Sequence, residues 1–429
     1  MAGDPKSSNA ASNMKGGGQY NLHMENFHID ILQNILSRLS FGEALYARRV
    51  CKTWKTLVVD RWCIKPGFLF VFNGLVKTEL NICYGERYDD DGDIIDDTGH
   101  VNKMNYYYTH ETLTRVEHES LFNFIDCKIT ILVGSCNGLV CFKRYRHGNP
   151  FLIINPLTEE TFFLPDIDYT SPLDTIKISW GLAERVVCGF GYCQSTNDYK
   201  VVKICYDNGL VKQGQVQVLT IGTDKWRSLG STDHRLGSIS YSESFPGIFA
   251  NGAIHWIDQI EYKVVAFDLE DEKFRVFTLP LDDVDADIIL SLLGGNLCLV
   301  HVELGSEHPF MDIWAYKQNN DNSSDTNTTI IEEGHGTKRD YYNNSWNWTK
   351  EFHIECEDDS YEPFAITKSN LVLMWNHSRI LHCYDPKTST IYKLWDSVNV
   401  MGLGYIDAVP YTTSGVSLKD HIEEKKRPK

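Results

Sequence analysis

Apolar positions near the start of the chain follow the spacing of two amphipathic helical segments. In the first segment they recur with the period of an α-helix, at Phe27, Ile31, Ile35, Leu36 and Leu39. The second segment repeats this pattern at Ala47, Val50, Cys51, Trp54, Leu57 and Val58. Ser40 and Glu43 lie between the two segments and fit a capping box, which starts a helix. The pattern predicts a small helical module over residues 23–62.

A module of this size has too few residues to bury its own apolar side chains. Below about 40 residues a folded unit usually needs a metal, a disulfide or a partner. Residues 23–62 show neither the spacing of a metal site nor a disulfide framework. We therefore expect the module to dock on another protein. The alternative is a helical hairpin packed on the chain's own second domain.

From residue 66 to about residue 411 the pattern changes to that of β-strands. Aromatic and β-branched runs of four to eight residues alternate with Gly, Asn, Asp and Pro turns. The clearest strands are expected at 68–73, 139–144, 151–155, 199–207, 216–222, 262–269, 297–302 and 371–375. No comparably long helix is expected in this region.

These strands recur in a repeated unit. A Gly/Asn turn followed by an apolar strand appears at 135–142, 249–257, 293–300 and 367–375. A strand, a polar turn and a second strand led by an aromatic residue appear at 154–165, 219–229, 267–280, 314–354 and 384–395. A four-stranded blade with its loops explains this repeat. The region is predicted to be a kelch-like β-propeller of six, possibly seven, blades. A large β-sandwich would explain the alternation but not the repeat.

Two parts of the chain resemble known plant proteins. Residues ILSRL (35–39) and RVCKTW (49–54) resemble the F-box, although His28 and Ser40 stand where that family usually has prolines. Ala44, Tyr46 and Ala47 replace a more typical Leu, Arg and Phe. Between residues 134 and 280, GSCNGLVCF, NPLT, VCGFGYCQSTNDYKVVKI, NGAIHW and VAFDLEDEKF occur in the order of the F-box-associated, kelch-like domain. The chain is therefore similar to plant F-box proteins with such a propeller.

The resemblance implies a function. An F-box docks on a Skp-type adaptor, which links it to a cullin–RING ubiquitin ligase, and the propeller would hold a target protein for ubiquitination and proteasomal degradation. The residues expected to bind the adaptor are Phe27, Ile31, Ile35, Leu36, Leu39, Val50 and Trp54. Sequence alone does not sort those that face the adaptor from those in the module's core. Two alternatives remain: a propeller enzyme acting on a carbohydrate or small molecule, and an F-box scaffold outside degradation.

Composition narrows the possible partners. The formal net charge of −17 over 429 residues argues against general nucleic-acid binding, which needs Lys and Arg to neutralise phosphates. No segment approaches the ~20 apolar residues of a membrane span. Residues 1–22 are polar, without the apolar core of a secretory signal, and are expected to be a disordered leader. The expected location is the cytoplasm, the nucleus or both. Residues 412–429 are expected to form a polar and basic tail.

Candidate catalytic motifs are weak, and we expect no catalytic, cofactor or metal site. The pair Gly189 and Gly191 begins a dinucleotide-binding fingerprint without completing it, and is better explained as a strand kink. The acidic residues around Gly92 lack suitable first and last calcium ligands, since Arg87 and Thr98 occupy those positions. His255 lies between two apolar residues and is expected to be structural.

Long polar insertions are the remaining candidates for target binding. They occur at about 86–105, 166–180, 230–246 and 317–347. Three segments are candidates for target binding: Asp89–Asp97, Tyr106–Tyr108 and Ser231–Phe245. Loops held by a rigid scaffold are common binding surfaces, and acidic residues with tyrosines suit a basic or polar protein partner.

Overall fold

The computed structural model describes most of the regular structure of the chain. The described residues are 28–39, 41–62, 66–74, 79–85, 111–117, 130–144, 150–158, 160–165, 185–206, 213–236, 246–258, 260–281, 287–303, 308–318, 346–356, 361–367, 370–376, 380–396 and 403–426. The leader predicted over 1–22 and the side chain of Phe27 lie outside them. The chain divides into two compact units, Met1–Val58 and Val59–Lys429.

The N-terminal unit is helical, as the sequence predicts. It contains α1 (Ile29–Leu36), α2 (Phe41–Ala47) and the larger part of α3 (Lys52–Trp62), which crosses the boundary between the units. Helix α1 begins after His28, whose ring nitrogen accepts a hydrogen bond from the backbone nitrogen of Asp30. The second predicted stripe is divided between two helices, because Ala47 ends α2 and Val50 lies in the turn before α3.

The second unit is built from antiparallel strands. Its described strands form six four-stranded sheets, which are called blades 1 to 6 here. Blade 1 contains β24 (Leu403–Thr412), β1 (Pro66–Gly74), β2 (Glu79–Gly85) and β3 (Glu111–Glu117). Blade 2 contains β4 (Thr130–Cys136), β5 (Leu139–Arg144), β6 (Pro150–Asn155) and β7 (Glu160–Phe163). Blade 3 contains β8 (Arg185–Cys193), β9 (Asp198–Tyr206), β10 (Gly214–Thr220) and β11 (Arg227–Thr232).

The other three blades repeat the same up-and-down order. Blade 4 contains β12 (Ile248–Ala250), β13 (Ala253–Asp258), β14 (Lys263–Asp268) and β15 (Phe274–Thr278). Blade 5 contains β16 (Asp287–Leu293), β17 (Asn296–Glu303), β18 (Phe310–Gln318) and β19 (Trp346–Glu355). Blade 6 contains β20 (Tyr361–Ile366), β21 (Val372–Asn376), β22 (Ile380–Asp385) and β23 (Thr390–Asp396). Each of the eight clearest strands expected from the sequence is present.

The blades follow one another around a ring. The first strand of each of blades 2 to 6 contacts the first strand of its neighbour, in the order β4, β8, β12, β16 and β20. Strand β24 contacts both β20 and β4, and pairs with β1 inside blade 1. The last and first strands of the unit therefore lie in one sheet and close the ring. This arrangement is a β-propeller rather than the β-sandwich that the sequence left open.

The core lies between neighbouring blades. Buried side chains of blades 2 and 3 form one apolar cluster, and further clusters join blades 3 and 4, 4 and 5, and 5 and 6. A fifth joins blade 6 to Phe68 and Ala408 of blade 1. Seven cysteines among the described residues are buried in such surroundings.

The Gly/Asn turns of the repeat join the first and second strands of their blades. Asn137 and Gly138 have φ of 45° and 80°, and the turns at Asn251–Gly252 and Gly294–Gly295 have similar pairs of positive values. Two positive φ angles define the tight hairpin turn that favours Asn-Gly, because most side chains are strained there. We call the end of the propeller that carries these turns the upper end.

Part of the polar and basic tail predicted over 412–429 is helical. Residues Leu418–Lys426 form helix α4, and Leu418 belongs to the apolar cluster between blades 2 and 3. His421 packs edge-on against Tyr199 with ring centroids 5.3 Å apart, and Lys425 forms an ion pair with Asp198. These tertiary contacts hold a segment whose sequence is mostly charged. No helix among the described residues is long and apolar enough to cross a membrane.

Candidate functional site

Helix α1 carries two different apolar rows. Leu32 and Leu36 are buried, as are Ala44, Leu57 and Val58 of the other two helices. Ile31 and Ile35 are one turn apart on another side of the helix, and both are exposed. One row therefore forms the core of the unit, and the other is left facing solvent.

The exposed apolar side chains of the chain concentrate in this small unit. Half of the large hydrophobic residues found exposed in the described part of the chain lie between residues 29 and 50, at Ile29, Ile31, Ile35, Tyr46 and Val50. Their exposed fractions run from 38% to 70%. Arg49 lies over the ring of Tyr46, with its guanidinium carbon 5.6 Å from the ring centroid. A concentration of apolar surface of this kind marks a site of protein interaction.

The structure sorts the residues that the sequence proposed for adaptor binding. Ile31, Ile35 and Val50 are exposed, Leu39 and Trp54 are half-buried, and Leu36 is buried in the core of the unit. Ile29 and Tyr46 are exposed apolar residues that the sequence reasoning did not include. The signal for Tyr46 in the sequence is that it replaces the Arg typical of the family at this position.

A pocket of about 490 Å³ opens at the upper end of the propeller. Blades 1, 2, 5 and 6 supply its thirteen lining residues, which include Phe68, Asn137, Gly294, Ile366 and Tyr411. The Tyr411 hydroxyl donates a hydrogen bond to the carbonyl oxygen of Gly138 at 3.2 Å, which brings the end of β24 beside the first turn of blade 2.

The described residues that line this pocket carry no ionised side chain at neutral pH. The titratable groups among them are the Cys136 thiol and the Tyr411 hydroxyl, and burial raises the pKa of both. The convergent acids expected of a propeller enzyme are therefore not among its lining residues. The chemistry of the pocket suits binding of an uncharged group rather than acid–base catalysis.

A second pocket of about 400 Å³ shares Gly294, Ile366 and Thr367 with the first. It contains an ion pair in which Lys317 Nζ lies 2.8 Å from Glu351 Oε1, and both side chains are partly exposed. The two pockets therefore form one continuous surface, uncharged on one side and ion-paired on the other.

The polar insertions attach to different ends of the propeller. Gly85 and Glu111, which flank residues 86–110, lie at the upper end because they pair across the sheet near Phe68 and Pro410. Leu236, by contrast, bridges Asp258 at the opposite end. The candidate segments at 89–97, 106–108 and 237–245 are themselves outside the described residues.

The weak catalytic motifs have structural explanations. A Cβ on Gly189 would lie 2.3 Å from Ile254, and one on Gly191 would lie 2.4 Å from Phe249, so these glycines allow blades 3 and 4 to approach. His255 is fully buried, burial lowers its pKa to about 4, and its Nδ1 atom is 3.1 Å from the Ile248 carbonyl oxygen. Both observations agree with the structural roles expected from the sequence.

Blade 5 carries a row of polar side chains across three strands. His301, Asp312 and His353 are directly opposite one another in the register. Asp312 accepts a hydrogen bond from Lys350 at 2.6 Å and lies 2.7 Å from His353 Nδ1. The negative charge of its carboxylate is therefore paired with groups of the same blade. In the part of the chain that the structure describes, no group of three or more His, Cys, Asp or Glu is arranged to hold a metal ion.

Comparison with known proteins agrees with this architecture. The family model described as "F-box associated beta propeller domain" matches residues 102–395, and the F-box domain model matches residues 24–65. F-box protein At3g07870 of Arabidopsis thaliana is 25% identical over 417 residues, covering 87% of each chain. F-box/kelch-repeat protein At3g23880 of the same plant is 22% identical, covering 68% of this chain and 76% of the relative. A chain of the nidogen/laminin complex aligns with a TM-score of 0.39 and 11% identity, over 80% of this chain and 98% of that one.

Proposed function

Because this chain belongs to the family of F-box proteins with an F-box associated β-propeller domain, we propose that it is the substrate receptor of an SCF-type ubiquitin ligase. A Skp-type adaptor binds the helical unit and links it to a cullin–RING ligase. The propeller binds a target protein, which is ubiquitinated and then degraded by the proteasome.

The exposed apolar surface of the helical unit carries this proposal. Five large apolar side chains face solvent there, on α1, on α2 and in the turn before α3. Burying one such side chain completely contributes about 1.5–3 kcal/mol. Part of this gain offsets the freedom that two proteins lose on association, so several side chains must be buried together to give stable binding. Five exposed apolar side chains are enough to anchor one partner.

The proposal assigns no catalytic residue to this chain. Its contribution is to hold lysines of the target near a ubiquitin-loaded conjugating enzyme. Tethering converts a bimolecular encounter into a local one and raises the effective concentration of those lysines. The uncharged pocket at the upper end of the propeller is consistent with a binding role.

The charge of the chain favours a particular class of target. A net charge of −17 attracts basic proteins over distances of about a Debye length, roughly 8 Å at physiological salt. Electrostatic attraction of this kind raises the rate of encounter more than the final affinity. We therefore expect targets with a basic surface around the segment that is bound.

Substitution at the turn before α3 tests the adaptor contact. Val50→Asp places a charge on the exposed apolar surface without altering the core, and should lower co-purification of a Skp-type adaptor at least tenfold. Val276→Asp is the matched control, because Val276 is an exposed valine on β15 of the propeller. Equal adaptor recovery with Val50→Asp and the wild type would count against the proposal. So would an equal loss with Val276→Asp.

A second experiment separates degradation from plain scaffolding. Proteins labelled by a proximity enzyme fused to the full chain are compared with and without a proteasome inhibitor. A ligase receptor predicts that specific labelled proteins accumulate with the inhibitor, and that this accumulation disappears in Val50→Asp. A scaffold outside degradation predicts the same labelled amounts in all four samples.

A further inference from the structure

The two pockets at the upper end lie side by side and differ in charge. The larger is lined by uncharged groups alone, and the smaller contains the Lys317–Glu351 ion pair. Gly294 lies in the wall that they share. A ligand that fills both must combine a bulky uncharged group with a polar or charged neighbour.

We propose that these pockets receive a short extended segment of the target protein, with one bulky uncharged side chain in the larger pocket and a polar or charged side chain two residues away in the smaller. The inference rests on the proposed function, since it names what the propeller recognises. The uncharged lining of the larger pocket selects an uncharged anchor. A charged side chain placed there would lose its hydration without gaining a partner.

The size of the larger pocket fits such an anchor. Its volume of about 490 Å³ falls within the roughly 300–1,000 Å³ of typical ligand sites. Buried aromatic side chains that fill pockets contribute most of the binding energy in many protein interfaces. The neighbouring ion pair is partly exposed, so Lys317 and Glu351 can each turn to a residue of opposite charge on the bound segment. In an extended chain successive side chains point to opposite sides, so side chains two residues apart point to the same side and can enter adjoining pockets.

Gly294 offers a substitution that narrows both pockets without disturbing the turn. Its φ of 56° is close to the values of Asn137 and Asn251, which stand at the same turn position in blades 2 and 4. A Cβ at Gly294 would lie 3.8 Å from Ile366, which is ordinary contact. Gly294→Asn should therefore fold normally and place an amide in the shared space. Ser389→Asn is the control, because Ser389 has a φ of 53° in an exposed turn of blade 6 that lines neither pocket.

The test uses the full chain co-purified with a Skp-type adaptor and a displayed library of random twelve-residue peptides. We expect the wild-type protein to enrich peptides that share one bulky uncharged residue with a polar or charged residue two positions away. Gly294→Asn should weaken binding of the enriched peptides at least tenfold, and Ser389→Asn less than twofold. Adaptor recovery should be the same for all three proteins.

Three results would overturn the inference. They are no enrichment by the wild type, enrichment of peptides that have only charged residues, and equal binding of the enriched peptides by Gly294→Asn. The wild-type selection alone decides the first two, whatever the behaviour of the variant. Peptide binding without adaptor co-purification would instead contradict the proposed function and leave the pocket assignment standing.

Discussion

The Glu160 carboxylate accepts a hydrogen bond from the backbone nitrogen of Leu418 at 2.5 Å, and so attaches the C-terminal helix to blade 2. The same carboxylate accepts hydrogen bonds from the Ser417 hydroxyl at 3.2 Å and from the Lys419 backbone nitrogen at 3.4 Å. A negative charge at a helix N-terminus is favourable, because the first backbone N–H groups have no partner within the helix. Glu160 therefore acts as the cap of α4 although 258 residues separate it from Leu418.

Removing this cap should destabilise the propeller by a measurable amount. Glu160→Ala leaves the three donors without their acceptor, and we expect a loss of about 1–2 kcal/mol in the free energy of unfolding. Glu160→Gln keeps an acceptor oxygen and should lose less. Urea denaturation followed by tryptophan fluorescence measures both.

The control for this prediction is Glu261→Ala, because the Glu261 side chain forms an exposed ion pair with Lys263. Its loss should stay within about 0.5 kcal/mol. If Glu160→Ala and Glu261→Ala were equally stable, the carboxylate would not hold the helix in solution.

Closure of the ring depends on a second long-range contact. The Tyr411 hydroxyl is buried and donates to the Gly138 carbonyl oxygen, which joins blades 1 and 2. Tyr411→Phe keeps the aromatic side chain and removes only its hydroxyl donor. We expect a loss of about 1 kcal/mol in the free energy of unfolding, measured by denaturant titration. A variant as stable as the wild type would show that the carbonyl finds another partner at no cost.

Local signals in the sequence predicted much of the propeller. Asn137-Gly138 and Asn251-Gly252 adopt the paired positive φ angles that this dipeptide favours, and each is followed by the expected apolar strand. The polar turn after the third strand is equally local. Asn155 and Asp268 each accept hydrogen bonds from the two backbone nitrogens of the turn that follows. Such features need only a few neighbouring residues, so a repeat in sequence becomes a repeat in structure.

Features that depend on distant contacts were not predictable in the same way. Helix α4 has few apolar residues, and its stability comes from Leu418 packed between two blades and from Glu160. The larger pocket is lined by residues as far apart in the sequence as Phe68 and Thr412. The burial of Leu36 and the exposure of Ile35 depend on where α2 and α3 pack against α1. Helical periodicity marks both as apolar positions but does not say which one meets the rest of the unit.

Protonation of a buried histidine should make stability depend on pH. His255 is fully buried, and burial lowers its pKa from 6.5 to about 4. The unfolded chain therefore binds a proton at this residue more readily than the folded chain does. Its contribution to stability is complete above pH 6.5 and is lost as the pH falls towards 4, at up to about 1.4 kcal/mol per pH unit.

Denaturation of the wild type and of His255→Gln between pH 7.5 and 4 tests this. The variant cannot be protonated and should lose stability less steeply over this range. His308→Gln is the control, because His308 is an exposed residue of the propeller. Equal slopes for the wild type and His255→Gln would show that His255 takes up its proton as readily in the folded state as in the unfolded state.

The two apolar rows of α1 should respond differently to truncation. Leu36→Ala removes a buried side chain and should lower the stability of the helical unit by about 2–4 kcal/mol. Ile35→Ala, one residue away and exposed, should cost less than about 1 kcal/mol. Amide hydrogen exchange over residues 29–62 measures the unit separately from the propeller. Equal loss of protection in both variants would contradict the division into a core row and an exposed row.

Titration of the purified full chain with a purified Skp-type adaptor tests the central claim most directly. We predict a one-to-one complex with a dissociation constant below about 1 μM, and a negative heat-capacity change from the apolar surface that is buried. Ile31→Asp combined with Ile35→Asp should weaken the complex at least a hundredfold while exchange protection of the helical unit is retained. No binding by the wild type, or unchanged binding by this double variant, would contradict the assignment of the exposed row as the docking surface.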